Sequence, residues 1–237
     1  MTPITLPGSQ PNDPLLTNLF MYDSDHEDPV RQLWRNEHIS VNDCFLKNIH
    51  KYKYIVNIDN DEIILPLNET NWYDMMAVVE QETKNKVFFF TSFYLKKKIL
   101  FQSIGCWAFQ NTYFFDDMTG PGSVPDNVPP GLHMMRHVVR SREYSGHTKC
   151  FVNTDTALSL TQHSVATCLE GVSCDKKSVV DPGLAHTQHY RATCPQGVRE
   201  ECQTRYRGQV VTDTRAWTHL QTVVKNTHFA LDKIKFT

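Results

Sequence analysis

The sequence predicts an α/β protein. Segments with apolar residues at helical spacing alternate with short apolar or aromatic runs of strand length, and loops rich in Pro, Gly, Asn and Asp separate them. A chain of 237 residues can bury a sizeable core, and 40% hydrophobic with 21% charged residues is an ordinary balance for a globular protein. A net charge of −2 offers no basic surface for nucleic acid and no acidic tail. No apolar run approaches the ~18 residues that span a bilayer.

Residues 1–30 are rich in Pro, Asn and Asp and read as an extended segment. A helix follows, with Val41, Cys44, Phe45 and Ile49 on one face and Ser40 placed to cap its start. Tyr54-Ile55-Val56-Asn57-Ile58 suits a buried strand, and Ile63-Ile64-Leu65-Pro66 resumes apolar character until proline stops it. Asn71 opens a second helix with Trp72, Met75, Met76 and Val79 on its buried side. The aromatic run Val87 to Tyr94 predicts a strand. Thr119 to Gly131 holds four prolines and three glycines, which requires a loop long enough to serve as a lid. Val138 to Val152 predicts two short strands around Ser145-Gly146. A last helix runs from about Asp213 to Lys233, with Leu220, Val223, Val224 and Leu231 facing inward.

Between the first two strands lie Asp59-Asn60-Asp61-Glu62, three acids in four residues. Their mutual repulsion is unfavourable unless a cation or solvent relieves it. Ligands of open α/β sheets bind at the carboxyl ends of strands, where this cluster sits. Carboxylates suit hard ions such as Mg²⁺ or Mn²⁺, which can grip a diphosphate and neutralise it as it departs. The plainer reading is a solvated acidic turn, since Asp and Asn favour turns. A calcium loop is disfavoured: Ile64 stands where that loop needs glycine, and Thr70 where it needs glutamate.

The seven cysteines are Cys44, Cys106, Cys150, Cys168, Cys174, Cys194 and Cys202, and four of them crowd into residues 168–202. That segment has weak apolar periodicity, so disulfides are expected there, with at least one thiol left unpaired by the odd count. No C-x-x-C pair occurs. His186 and His189 beside Cys194 and Cys202 offer an irregularly spaced zinc alternative. Met1 to Gln10 lacks the charged flank and apolar core of a signal peptide, whereas the sequon Asn68-Glu69-Thr70 fits the secretory route.

The block from Tyr52 to Pro66, preceded by Asn42-Asp43-Cys44-Phe45-Leu46-Lys47-Asn48, resembles the signature of glycosyltransferase family 92. Arg142 to Val152 with Lys149, then His163, then His189-Tyr190-Arg191, are similar to that family in the same order, and Leu6 to Pro11 resembles its arthropod-type members. The resemblance implies a partial GT-A-type, Rossmann-like fold with a mixed sheet that lacks its first strands. It implies an extended segment over 1–34 and the C-terminal part of one catalytic domain over 35–237. By that resemblance the activity is transfer of a hexose, galactose from UDP-galactose, to a glycan acceptor on glycoprotein or glycolipid with inversion. Asp59, Asp61 and His189 would hold Mn²⁺ or another divalent cation. Lys149 and Arg191 would join Asp59 and Asp61 in binding the donor, Arg191 through its planar fork. Glu62 would bind sugar hydroxyls or brace the site. Asp116, Asp117 and Glu143 are the candidates for the general base that inversion requires. The full-length parent would be a type II Golgi membrane protein facing the lumen. This chain, without anchor or nucleotide-binding first strands, would be an incomplete form with little or no activity.

Two readings of other classes stand beside this one. One is a non-catalytic glycan-binding protein using exposed aromatics such as Trp72 or Trp107. The other is a disulfide-rich secreted module. There is no phosphate loop, no nucleophile elbow and no H-E-x-x-H helix.

Overall fold

A computed structural model describes residues 29–91, 104–118, 128, 129, 131–170, 172, 174, 177–194 and 199–233, without the side chains of 29–36, 86–91 and 201. The protein is mixed α/β, with both parallel and antiparallel strand pairs, and it divides into two compact units. Among the described residues no helix is long and apolar enough to cross a membrane.

The first unit comprises residues 1–57, 100–107 and 150–177. Its helix α1 (Pro29–Asn48) starts well before Ser40, which is therefore a helix-interior residue and not the cap the sequence suggests. Phe45 is its fully buried anchor. Strand β1 (Tyr54–Val56) pairs antiparallel with residues 151–153 of a later strand, and the Tyr54 ring meets Trp107 edge-on at 5.4 Å. Trp107 is only 4% exposed, which removes it as a glycan-stacking platform. The extended segment expected over 1–34 lies outside the described residues up to residue 28, and from Pro29 the chain is helical.

The second unit comprises residues 58–99, 108–149 and 178–237. Strand β2 (Glu62–Pro66) leads into helix α2 (Trp72–Thr91). Asn71 Oδ1 accepts the Asp74 N–H at 2.9 Å and so caps that helix, as its residue type suggests. Met75, Met76 and Val79 are buried, whereas the Trp72 ring is half exposed and tethered by its Nε1–H to the Ile64 carbonyl at 2.7 Å. The helix continues through Val87–Thr91, where the aromatic run predicts a strand. Gln81 to Lys86 contains no glycine or proline to stop the helix, so propagation overrides the β preference of the phenylalanines.

Strand β3 (Cys106–Phe115) begins in the first unit and runs through the second. A four-residue helix α3 (His133–Arg136) precedes β4 (Val139–Ser141) and β5 (Thr148–Asn153), the two strands expected around Ser145-Gly146. Of the predicted 119–131 loop, only 128, 129 and 131 are among the described residues. The hairpin β6 (Ala157–Leu160) and β7 (Val165–Cys168) belongs to the first unit, and Asn42 of α1 bonds both backbone groups of Leu160. Strand β8 (Ser178–Val179) lies beside β3. Strand β9 (Ala185–Arg191) is sandwiched between β2, antiparallel, and β3, parallel.

The short helix α4 (Arg199–Glu201) passes into a π-helical turn, Cys202–Tyr206. Strand β10 (Val210–Thr212) pairs with β4, and a 3-10 turn (Arg215–His219) precedes α5 (Leu220–Lys233). Leu220 is buried with Leu65, Val128, Met135 and Ala216, and Val223 and Val224 pack on that cluster. Leu231, expected to face inward, is exposed near the helix end. Disulfides join Cys168 to Cys174 and Cys194 to Cys202, inside the crowded segment, leaving Cys44 exposed and Cys106 and Cys150 buried as thiols. With Cys194 and Cys202 bonded to each other, the irregular zinc alternative is gone.

Candidate active site

Three strands of the second unit bring the acidic turn to the histidine near the end of the chain. Glu62 of β2 and Tyr113 of β3 both pair with His189 of β9. Paired residues in a ladder share a face of the sheet, so these side chains project together. Backbone bonds fix the turn: the Tyr190 N–H donates to the Asp61 carbonyl at 2.8 Å, and the Glu62 N–H donates to the Asp59 carbonyl at 3.0 Å.

Glu62 is the hub. It is 3% exposed, and such a carboxylate is unfavourable without partners. Its Oε2 accepts the Asp59 N–H at 3.1 Å and lies 3.1 Å from Lys149 Nζ. Its Oε1 accepts Asn111 Nδ2–H at 3.2 Å and lies 3.2 Å from His189 Nδ1. Lys149 is fully buried, and its ammonium also reaches Asp59 Oδ2 at 3.0 Å. The cation that relieves the repulsion inside the turn thus comes from within the protein. The Asp59 and Asp61 side chains remain partly exposed, at 39% and 49%.

His189 is held between two acids. Nε2 is buried, makes no hydrogen bond, and sits 3.3 Å from Asp61 Oδ2. Burial lowers the imidazole pKa; the Glu62 and Asp61 carboxylates oppose the shift and Arg191 adds to it. His189 Nδ1 faces both Glu62 Oε1 and Asn111 Nδ2, the latter at 3.3 Å, while Nε2 faces Asp61. Tyr113 packs on the ring at 5.3 Å between centroids, and Tyr206 meets Tyr113 edge-on at 5.0 Å.

The other predicted residues fall in three places. Arg191 is two residues beyond His189 on the same face of β9, and its guanidinium has no ion-pair partner among the described residues. Asp116 follows the end of β3, roughly 10 Å along the strand from the level of His189. It contacts His133 and His137 and none of the Glu62 cluster. Asp117 is ion-paired with Arg207. Glu143 is exposed in the β4–β5 connection, its N–H held by Ser141 Oγ at 3.0 Å. The Lys149 side chain faces the carboxylates and not solvent. His163, in the β6–β7 connection, accepts bonds at its backbone carbonyl from Cys150 Sγ and Lys177 Nζ.

Asn111 is the member of the cluster that sequence reasoning misses; its only signal is a polar residue inside an aromatic strand. A second polar network lies on the opposite face of β9. Asp213, nearly buried, accepts Arg140 Nε–H at 2.9 Å and Arg215 Nε–H at 2.8 Å, while His186 Nε2 lies 2.6 Å from an Arg215 amine. Burial opposes ionisation of Asp213, but Arg215 and His186 outweigh it and hold the carboxyl well below the usual carboxylate range. Burial likewise lowers the His186 pKa.

A family model described as glycosyltransferase family 92 matches residues 4–227. Among curated proteins none matches the chain.

Proposed function

Because the chain belongs to glycosyltransferase family 92, a family that takes a nucleotide-sugar donor and a glycan acceptor, we propose that it moves galactose from UDP-galactose to a glycan with inversion, in the Golgi lumen, with Mn²⁺ bound at the acidic turn. The observation that carries this reading is the facing pair Asp61 and His189, braced from behind by Glu62, Asn111 and Lys149.

The donor set fits a divalent ion. A carboxylate oxygen and an imidazole nitrogen suit Mn²⁺, and the buried His189 Nε2 has no hydrogen bond to lose. The carboxylate on Nδ1 fixes ring orientation and raises basicity, as the outer partners of ligating histidines do. The Asp59 carboxylate is turned to Lys149 and does not converge with Asp61 and His189 on a common point, so Asp61 and His189 are the proposed ligands and Asp59 would join them only by leaving Lys149. A bound ion supplies charge to offset the leaving diphosphate. Arg191, on the same face of β9, would offer its planar fork to two phosphate oxygens. Glu62 and Lys149 position the ligands and stay out of reach of the donor.

The test is thermal melting of the purified chain with Mn²⁺ and UDP-galactose. The two together are expected to raise the Tm of the wild type and to leave an Asp59→Ala/Asp61→Ala double variant unchanged. An unshifted wild type would return the chain to the non-catalytic glycan-binding class.

A further inference from the structure

We propose that Asp116, His133 and His137 form a second cation site, selective for zinc-class transition metals and separate from the Asp61–His189 pair. Asp116 Oδ1 lies 3.0 Å from His133 Nε2 and 3.6 Å from His137 Nε2, and one ligating atom from each residue falls within 4.8 Å of the other two. Zinc bonds of about 2.0–2.1 Å in a tetrahedron place neighbouring ligand atoms about 3.3–3.4 Å apart. The two observed separations bracket that value. No other described set of three His, Cys, Asp or Glu side chains meets the same criterion.

The ligands stand on fixed backbone. The Asp116 N–H donates to the Arg191 carbonyl at 3.1 Å, fastening the end of β3 to the end of β9. His133 opens α3 and His137 follows its last residue, one turn later, so both rings lie on one side of the helix. Their centroids are 4.2 Å apart. Buried Met135 pins α3, and its carbonyl accepts the Trp217 Nε1–H at 2.9 Å. A histidine–aspartate ion pair alone accounts for one imidazole. The second ring reaches the same oxygen as a neutral imidazole, the form that burial and the neighbouring His133 favour for His137 and the form that ligates metal. A divalent ion satisfies all three groups at once. Two imidazoles and one carboxylate favour zinc or its neighbours over Mg²⁺ and Ca²⁺. The three side chains are partly exposed, so solvent reaches the site, and three protein ligands leave a fourth position for water or a substrate oxygen.

Cobalt is the spectroscopic probe and zinc the calorimetric one. The full chain should take up one Co²⁺ with the visible absorption of a tetrahedral ion, and Zn²⁺ should displace it. His133→Gln and His137→Gln should each weaken Zn²⁺ binding at least about tenfold, while Asp61→Asn leaves it unchanged. Asp116→Asn, which preserves size, should weaken binding with unaltered metal-free melting and so separates ligation from folding. Absence of a tetrahedral cobalt spectrum overturns the proposal. Binding that survives both histidine variants and is lost in Asp61→Asn overturns it as well.

Discussion

Lys149 and Asp61 mark the two ends of the acid cluster. Lys149 is fully buried against Asp59 and Glu62, and removing one partner of a buried ion pair typically costs about 3–5 kcal/mol. Lys149→Met is therefore expected to lower the urea midpoint sharply. Asp61→Asn changes an exposed side chain and should alter stability by no more than about 0.5 kcal/mol, while abolishing the Mn²⁺-linked rise in Tm. The contrast between the two variants separates what holds the site from what meets the ligand. At this scale the sequence is informative about the acids and His189, because adjacent like charges and a family signature both point to them. It is silent about why Lys149 matters. A lysine inside an apolar strand has no periodicity to betray its partners, and Asn111 and Asp213 are equally unmarked. Asp116 is recognisable as an acid after a strand, but only the fold shows that two histidines face it.

Elements are legible where period and punctuation agree. Asn71 begins α2 by both residue type and geometry, and Asn71→Ala should cost about 1 kcal/mol, measured by chemical denaturation. The same helix defeats the sequence at its far end, where three phenylalanines argue for a strand and helix propagation wins. Strand β9 follows alternation in an informative way. His189 and Arg191 face the acidic turn, while His186 and Gln188 face the other side, where Asp213 gathers Arg140 and Arg215. Residue spacing of three along a strand always divides two histidines between faces, and that geometry separates His186 from His189.

For the whole molecule, His186 and Asp213 behind β9 act in the same direction as His189 and His137, whose pKa values burial also lowers, in setting the acid-side pH dependence. His186 has a pKa below its ordinary value, so as pH falls through about 6.5 the unfolded chain takes up a proton that the native one resists. Asp213 is also depressed; its contribution is complete above about 3.9 and is lost as pH falls from there towards its native value. Both signs agree. Stability should decline on acidification below about 6.5 and more steeply below about 4, with Asp213→Asn removing the lower step; Tm measured across pH checks this. Thiol titration tests the covalent frame: one thiol, Cys44, should react in the native protein and three after denaturation.

The Cys194–Cys202 bridge has a practical consequence. Both of its residues are buried with Tyr113, Phe115 and Tyr206, and Tyr113 is the ring that lies against His189. A host whose cytoplasm keeps sulfur reduced would leave that aromatic wall unfastened. Material produced there should be correctly sized yet poor in Mn²⁺ response, and transfer to a periplasmic or lumenal expression route should restore it.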